Sequence, residues 1–424
     1  MKKIISSILM TSLLAGSICA CAPKTQETET PVVTTYGEPV KFEIKELSAD
    51  DQDQFRKAYL NTSFDLLKTQ FKNDQNVMIS PASIMIALSM AEAGARGTTK
   101  DQMASLWGGQ QDPGAQISYA AELVKRLNEA KGIKLSAADS MWINKENMSG
   151  FIKEEFVDFV KEHFDAEASE LLFDNAALEK INSWVNEKTD GMIDKIIDRF
   201  TDEASLILIN AISFDGKWSK QYEESQVAEE DFTNAAGEKQ KAQMLYGMEH
   251  TYLENDKAKG FVKYYEGGQY AFVVMLPKDE AESADKMLAG FTGDDFDEYM
   301  NSSSDTAVRT SLPEFKYDYG NSLVDALKNL GMTDAFDAGK CDFTGIAEYE
   351  DGRKVVINDV IHKTHIEVDR NGTKAAAVTA VMMETAGAVA IDEVKEVYCN
   401  RPFAYAIVDM TDNTPVFLGT VNNI

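Results

Sequence analysis

The chain has 424 residues, 44% of them hydrophobic and 26% charged, with a formal net charge of -28. That length allows one large or two ordinary domains with a sizeable core. So acidic a surface, with no long Lys/Arg cluster, excludes nucleic acid, anionic lipid headgroups and a polyanionic cofactor as partners.

Met1-Lys2-Lys3 followed by an apolar stretch from Ile4 to Ala20 reads as an export signal, too short and wrongly flanked for a membrane span. Ile18-Cys19-Ala20-Cys21 resembles a bacterial lipoprotein cleavage box in which Cys21 is lipidated, although Cys19 departs from the usual pattern. Simple secretion after cleavage behind Ala20 is the other reading. Ala22, where aspartate would be the alternative, favours the outer membrane by resemblance to lipoprotein sorting signals. The expected organisation is a signal peptide over 1–20, a lipidated cysteine with a Thr/Glu/Pro-rich flexible tether over 21–44, and one folded domain over 45–424.

Within that domain, apolar spacing predicts helices over Phe55–Phe71, Ala82–Ala93 behind Ser80-Pro81, a segment through Ile152, Phe156, Phe159, Val160 and His163, and Ile181–Ile197. His163 reads as a packed histidine. Leu206–Phe214 and Tyr270–Leu276 are continuous apolar runs expected as buried strands. Phe403–Val408 and Val416–Val421 flank Thr411-Asp412-Asn413-Thr414 and read as a hairpin. Helices dominate the first half and strands the second, so the class is α+β.

Catalytic signatures are missing. The four histidines, His163, His250, His362 and His365, form no H-E-x-x-H, and neither a G-x-S-x-G elbow nor a phosphate-binding loop occurs. His362 and His365 would face opposite sides of a strand, which argues against a shared metal. Once the leader is removed, Cys341 and Cys399 are the cysteines left, expected as free and partly buried thiols rather than a disulfide. No enzyme activity, metal or cofactor is expected.

The run Gly372-Thr373-Lys374-Ala375-Ala376-Ala377-Val378-Thr379-Ala380 supports two readings. Propensity calls Thr373–Met383 a helix. Read as a strand, it places Thr373, Ala375, Ala377, Thr379, Val381 and Met383 on one side, small at the start and uncharged throughout. Lys374 and Glu384 lie on the other side. Such a segment can slip into a packed sheet without burying a charge.

Several motifs carry a family resemblance. Asn76-Val77-Met78-Ile79-Ser80-Pro81-Ala82-Ser83-Ile84, Leu208-Ile209-Asn210-Ala211-Ile212-Ser213-Phe214-Asp215-Gly216-Lys217-Trp218, Asn400-Arg401-Pro402-Phe403 and Phe417-Leu418-Gly419-Thr420-Val421 resemble, in order, the signatures of serpins. The resemblance implies a helical shell around three β-sheets with an exposed reactive-centre loop. It also implies suicide-substrate inhibition: a protease acylates itself on the loop, and the cut loop inserts as a new strand into the largest sheet. (Such loop insertion combines strand addition with the release of stored strain.) The implied partner is a target protease, held covalently by a monomeric inhibitor whose only membrane attachment is its N-terminal lipid.

By the same resemblance, Gly372, Thr373, Lys374, Ala375, Ala376, Ala377 and Val378 form the hinge. Ser80, Ser83, Asn210 and His362 form the polar cluster where the sheet parts, and Trp218 marks the top of the sheet. The family usually has glutamate just before the hinge glycine, paired with a lysine. Here Arg370 and Glu314 stand in those places and are expected as a charge-swapped pair. The family's spacing puts the scissile bond at Ala386–Gly387, with Thr385 and Met383 as alternatives. Small residues around it suit elastase-like serine proteases first and papain-like cysteine proteases second. A non-inhibitory serpin, cleaved as a plain substrate or acting as a binding protein, is the alternative.

Overall fold

In the computed structural model, Ser48 opens helix α1 (Ala49–Thr69). Its hydroxyl accepts from the Asp51 amide at 3.1 Å, and the Asp51 carboxylate accepts from the Ser48 N–H at 3.2 Å, a capping box. The structure describes residues 42–72, 75–145, 152–201, 204–347, 354–373 and 394–424. The signal peptide and Cys21 fall outside the described residues, as do Lys374 to Val378, Met383, Thr385, Ala386 and Gly387. The described residues from Phe42 to Ile424 belong to one compact unit. The tether expected through residue 44 ends sooner. Phe42 stacks on Phe159 with ring centroids 4.6 Å apart, and the Lys45 amide donates to Ser118 Oγ at 2.9 Å.

Helix α2 (Pro81–Gly94) is buried at every position and mostly apolar, with Ser83, Ser89 and Glu92 as its buried polar residues, and it forms the centre of the fold. Around it lie α3 (Gly97–Leu106), α4 (Pro113–Asn128) and α5 (Glu154–Phe164). His163 of α5 packs against Phe159 with centroids 4.9 Å apart. Helix α6 (Asn175–Lys188) starts earlier than its apolar spacing suggests and stops at Lys188, not Ile197. Asp190 and Gly191 take positive φ of 52° and 74°, which ends the helix. Ile193 and Ile197 nevertheless pack in the same small core as Ile181 and Val185, which is why a helical rhythm continues in the sequence beyond the helix. The later helices α7 (Ala284–Ala289), α8 (Gly293–Asn301) and α9 (Val324–Asn329) are short.

Six strands form the large sheet: β2 (Ile133–Asn144), β3 (Glu167–Leu171), β4 (Leu206–Lys217), β10 (Phe315–Ser322), β11 (Ile357–Val368) and β12 (Gly372–Thr373), in the order β10-β11-β12-β4-β2-β3. The other strands are β1 (Val77–Ile79), β5 (Val227–Thr233), β6 (Lys239–Glu254), β7 (Ala258–Tyr264), β8 (Tyr270–Pro277), β9 (Ser304–Pro313), β13 (Lys395–Tyr398), β14 (Phe403–Asp409) and β15 (Thr414–Val421). The family resemblance implies three sheets, but hydrogen bonds join these nine strands into one network. The bridge is a short ladder of Tyr252–Glu254 on β6 with Lys259–Phe261 on β7.

Strand β4 shows why its sequence is an unbroken apolar run. Leu206, Leu208, Ile212 and Phe214 face the main core, while Ile207, Ile209 and Ala211 face the smaller core under α6, so both faces are covered. Cys341 and Cys399 are fully buried, not partly, and are not joined to each other. The Cys341 thiol donates to the Val355 carbonyl at 3.2 Å, and burial pushes the Cys399 thiol well above its usual range.

Candidate functional site

The centre of the large sheet is its most unusual part. Strands β4 and β11 run parallel and pair directly from Leu206 with Ile357 up to Ser213 with His365. Above that point they diverge, and β12 lies between them, antiparallel to both. Thr373 pairs with Val368 on one side and Gly216 on the other, and Gly372 pairs with Lys217. The helix favoured by local propensity is therefore not what Thr373 adopts, because two strand edges offer it ladder partners. A Cβ at Gly372 would overlap the carbonyl oxygen of Gly216, so only glycine fits this narrow opening.

The turn that delivers β12 is tightly held. Asp369 Oδ1 accepts from the amides of Asn371 at 2.6 Å and Gly372 at 3.0 Å, and Asp369 N–H donates to Gly372 O at 2.9 Å. The segment after β4 grips this turn from outside. Trp218 N–H donates to Asn371 O, Tyr222 N–H to Arg370 O and Trp218 Nε1–H to Asp369 O, each at 2.9 Å. Thr373 is 1% exposed, and its hydroxyl meets Tyr265 Oη at 2.6 Å, so its side chain points into the main core. Burial, partly offset by that hydrogen bond, pushes the Tyr265 phenol far above its usual range.

Arg370 and Glu314 are adjacent, but the guanidinium is not the main link. Glu314 Oε1 accepts from the backbone N–H of Arg370 at 3.3 Å, while Nε stands 4.0 Å away on a side chain 43% exposed. The charge pair therefore belongs to the weak surface class.

Lower down, one hydrogen-bond chain spans the β4–β11 seam. Ser80, the N-cap of α2, donates its amide to His362 Nε2 at 3.1 Å, which fixes the proton on Nδ1. Nδ1–H donates to Asn210 Oδ1 at 2.5 Å. Asn210 Nδ2 donates onward to Ser83 Oγ and, at 2.5 Å, to Asp139 Oδ1 on β2. Ser80, Ser83, Asn210 and His362 thus meet in one buried cluster, and Asp139 is a member that the sequence reading missed. The available signal was a lone carboxylate in the small and apolar strand run Ala137–Trp142. His365 points elsewhere, pairing its Nδ1 with Asp318 at 2.6 Å. Among the described residues no group of His, Cys, Asp and Glu could hold a metal.

This fold and slot define a class of molecule whose large sheet holds a two-residue strand, Gly372–Thr373, between the diverging ends of β4 and β11. The family described as serpin (serine protease inhibitor) matches residues 57–424. An uncharacterized serpin-like protein of Thermococcus kodakarensis is 31% identical over 85% of this chain and 84% of its own length. Serpin B6 of Pongo abelii is 31% identical over 84% of this chain and 96% of its own. The crystal structure of a thermophilic serpin, tengpin, in the native state is similar with a TM-score of 0.82 and 36% identity, covering 91% of this chain and 97% of that one. The chain belongs to the serpin family, and its fold is of the protease-inhibitor type.

Two members of the polar cluster titrate in opposite senses. Burial lowers the His362 pKa from 6.5 to about 3, so its stabilising contribution is complete above 6.5 and fades as the pH falls toward 3. Burial raises the Asp139 carboxyl from 3.8 to about 7 despite its hydrogen bonds from Asn210 and Ser83. Its contribution is complete below 3.8 and is lost as the pH rises through 7. Replacing Asp139 with asparagine removes the second slope. The unfolding free energy of Asp139→Asn minus that of wild type should therefore climb with pH between 3.8 and 7, at up to about 1.4 kcal/mol per unit. A difference independent of pH in urea titrations would refute this. For the surface pair, a double-mutant cycle on Arg370 and Glu314 with alanine should give coupling of about 0.2–1 kcal/mol.

Proposed function

We propose that this serpin is a suicide-substrate inhibitor of endopeptidases that traps its target by completing an insertion which β12 has already begun. The supporting observation is the slot itself: two residues of the loop's stem are seated at its upper end, and a parallel ladder closes it below. Parting β4 from β11 breaks one parallel ladder, and the arriving strand restores two antiparallel ones, the more stable pairing. The cleaved loop thus gains both backbone hydrogen bonds and burial.

Continuing the β12 register one residue at a time assigns a place to each hinge residue. Ala375 would lie between Phe214 and Ile366, Ala377 between Ile212 and Thr364, and Val381 between Leu208 and Val360. Small residues thus come first, where the opening is narrow, and each fully buried Val381 or Met383 contributes about 1.5–3 kcal/mol. Thr379 would fall between Asn210 and His362, supplying a hydroxyl where their mutual hydrogen bond must be given up. Lys374, on the outward row, would arrive between Asp215 and Glu367, where the latter now bonds Lys316 at 2.8 Å. Met383 would reach Leu206, the lower end of β4. That leaves Ala386–Gly387 just beyond the inserted strand, in keeping with a bait bond there and with Thr385 and Met383 as weaker candidates.

The small residues around that bond favour elastase-like serine proteases, with papain-like cysteine proteases as the second target class. Mixing the protein with elastase should yield an adduct that survives denaturation and a C-terminal peptide beginning at Gly387. Rapid cleavage with no adduct would instead make it a non-inhibitory serpin, and an adduct formed only with a papain-like enzyme would change the target class. Thr373→Arg should convert the protein into a plain substrate, because the charged side chain would have to enter the core beside Tyr265. Undiminished adduct in that variant would overturn this account of the hinge.

We also propose that Cys21 carries a lipid that holds the inhibitor on a bacterial outer membrane. Fatty-acid labelling of wild type and its absence in Cys21→Ser is the corresponding measurement.

A further inference from the structure

The grip on the hinge turn has an unexpected centre. Trp218 and Tyr222, which donate all three outside hydrogen bonds to Asp369–Asn371, pack around one buried ammonium group. Lys263 Nζ lies 4.2 Å from the Tyr222 ring centroid and 5.4 Å from that of Trp218. It donates to Glu249 Oε1 at 2.8 Å and to the carbonyl of Lys220, within the gripping segment, at 3.2 Å. Its side chain is 3% exposed. Tyr265, which holds Thr373, stacks on Trp218 with centroids 4.7 Å apart and planes within 15°. Trp218, Tyr222 and Tyr265 therefore rest on Lys263 directly or through Trp218, while Glu314, which accepts from the Arg370 N–H, contacts the turn independently.

Of the two lysines on β7, Lys259 is part-exposed but Lys263 is buried, a costly placement for a charged side chain. Burial lowers its pKa, and Glu249 opposes that shift. Strands β6 and β7 pair only at Tyr252–Glu254 with Lys259–Phe261, so the Lys263–Glu249 bond lies beyond the ladder that joins them. A packing role alone would be met by methionine, which fills space without a charge. What methionine cannot do is attract two ring faces and a carbonyl at once.

We propose that Lys263 is a positioning residue for the hinge: it holds Trp218 and Tyr222 in the geometry that keeps Gly372 and Thr373 seated in the slot before any protease acts. Its consequence for trapping rests on the inhibitory reading. With the hinge already seated, insertion starts from an occupied register and outruns hydrolysis of the acyl-enzyme. Without the ammonium group, the turn detaches, insertion begins late, and more inhibitor is cleaved for each protease trapped.

The test is amide hydrogen exchange on the full chain, comparing wild type with Lys263→Met and Lys263→Arg. The Trp218 and Tyr222 amides report the grip directly, since their acceptors are Asn371 and Arg370. Backbone amides of Phe403–Asp409 provide the reference for global opening. In K263M the two reporter amides should exchange about tenfold faster relative to the reference. K263R, which keeps the cation over the rings, should stay within about twofold of wild type. If K263M does not fold, E249Q leaves the ammonium without its carboxylate and should accelerate the same two amides. Reporter amides that speed up no more than the reference would overturn the proposal and leave Lys263 a stabilising residue only. Wild type that forms no adduct with any protease would sink the inhibitory reading, yet the exchange measurement would still decide the role of Lys263. If wild type does trap protease, K263M should consume more inhibitor molecules per adduct.

Discussion

The structure depends on a sheet paired the less favourable way along its middle. Strands β4 and β11 are parallel neighbours, yet their upper ends already accept β12 in the antiparallel sense. Both arrangements satisfy the backbone groups, but the second satisfies them with an additional strand. On the inhibitory reading proposed above, the closed form would be complete without being the best structure this chain can reach. The placement of the polar residues follows from that. A jigsaw apolar seam would resist opening, whereas a short chain of hydrogen bonds through His362, Asn210 and Asp139 can part and re-form.

Asp139 and His362 show how closely that seam is tuned. A carboxyl group and an imidazole lie in one buried chain, with Asn210 between them as both donor and acceptor. Burial favours the neutral form of each, so the cluster links three strands of the large sheet without favouring a net charge at its centre. Asp139 sits on β2, which pairs with β4, whereas His362 sits across the seam on β11, so in the proposed insertion only the His362 side of the chain would have to let go.

Much of the fold was legible in the sequence because its signals were local. Proline after Ser80 marked α2, and the uninterrupted apolar run marked β4 as covered on both faces. The hinge was legible only as an ambiguity: alanine-rich propensity pointed to helix, alternation to strand, and the ladder partners supplied by Gly216 and Val368 decide it for Thr373. What local reading could not supply was long-range register. The extent of α6 was overrun because Ile193 and Ile197 serve the same core as the helix without being in it. Asp139, Lys263 and Tyr265 carry no motif, since their importance comes from which strands lie beside them. Asp139 and Lys263 did leave a trace, each an ionisable side chain next to small or apolar strand neighbours, which is a costly placement when buried and calls for a partner.

In the proposed insertion, the seated pair Gly372 and Thr373 would also settle the phase of the strand that follows. Side chains alternate along a strand, so a slip of one residue would turn Lys374 and Glu384 toward the core and the small residues outward. A strand that searched for its partners from an empty slot could make that error. One that grows from an anchored first rung cannot, because Thr373 with its hydroxyl on Tyr265 has fixed which face is inward. The short stub β12 would thus act as a parity key, and its own glycine, Gly372, confined by the Gly216 carbonyl, leaves that key a single position in the lock.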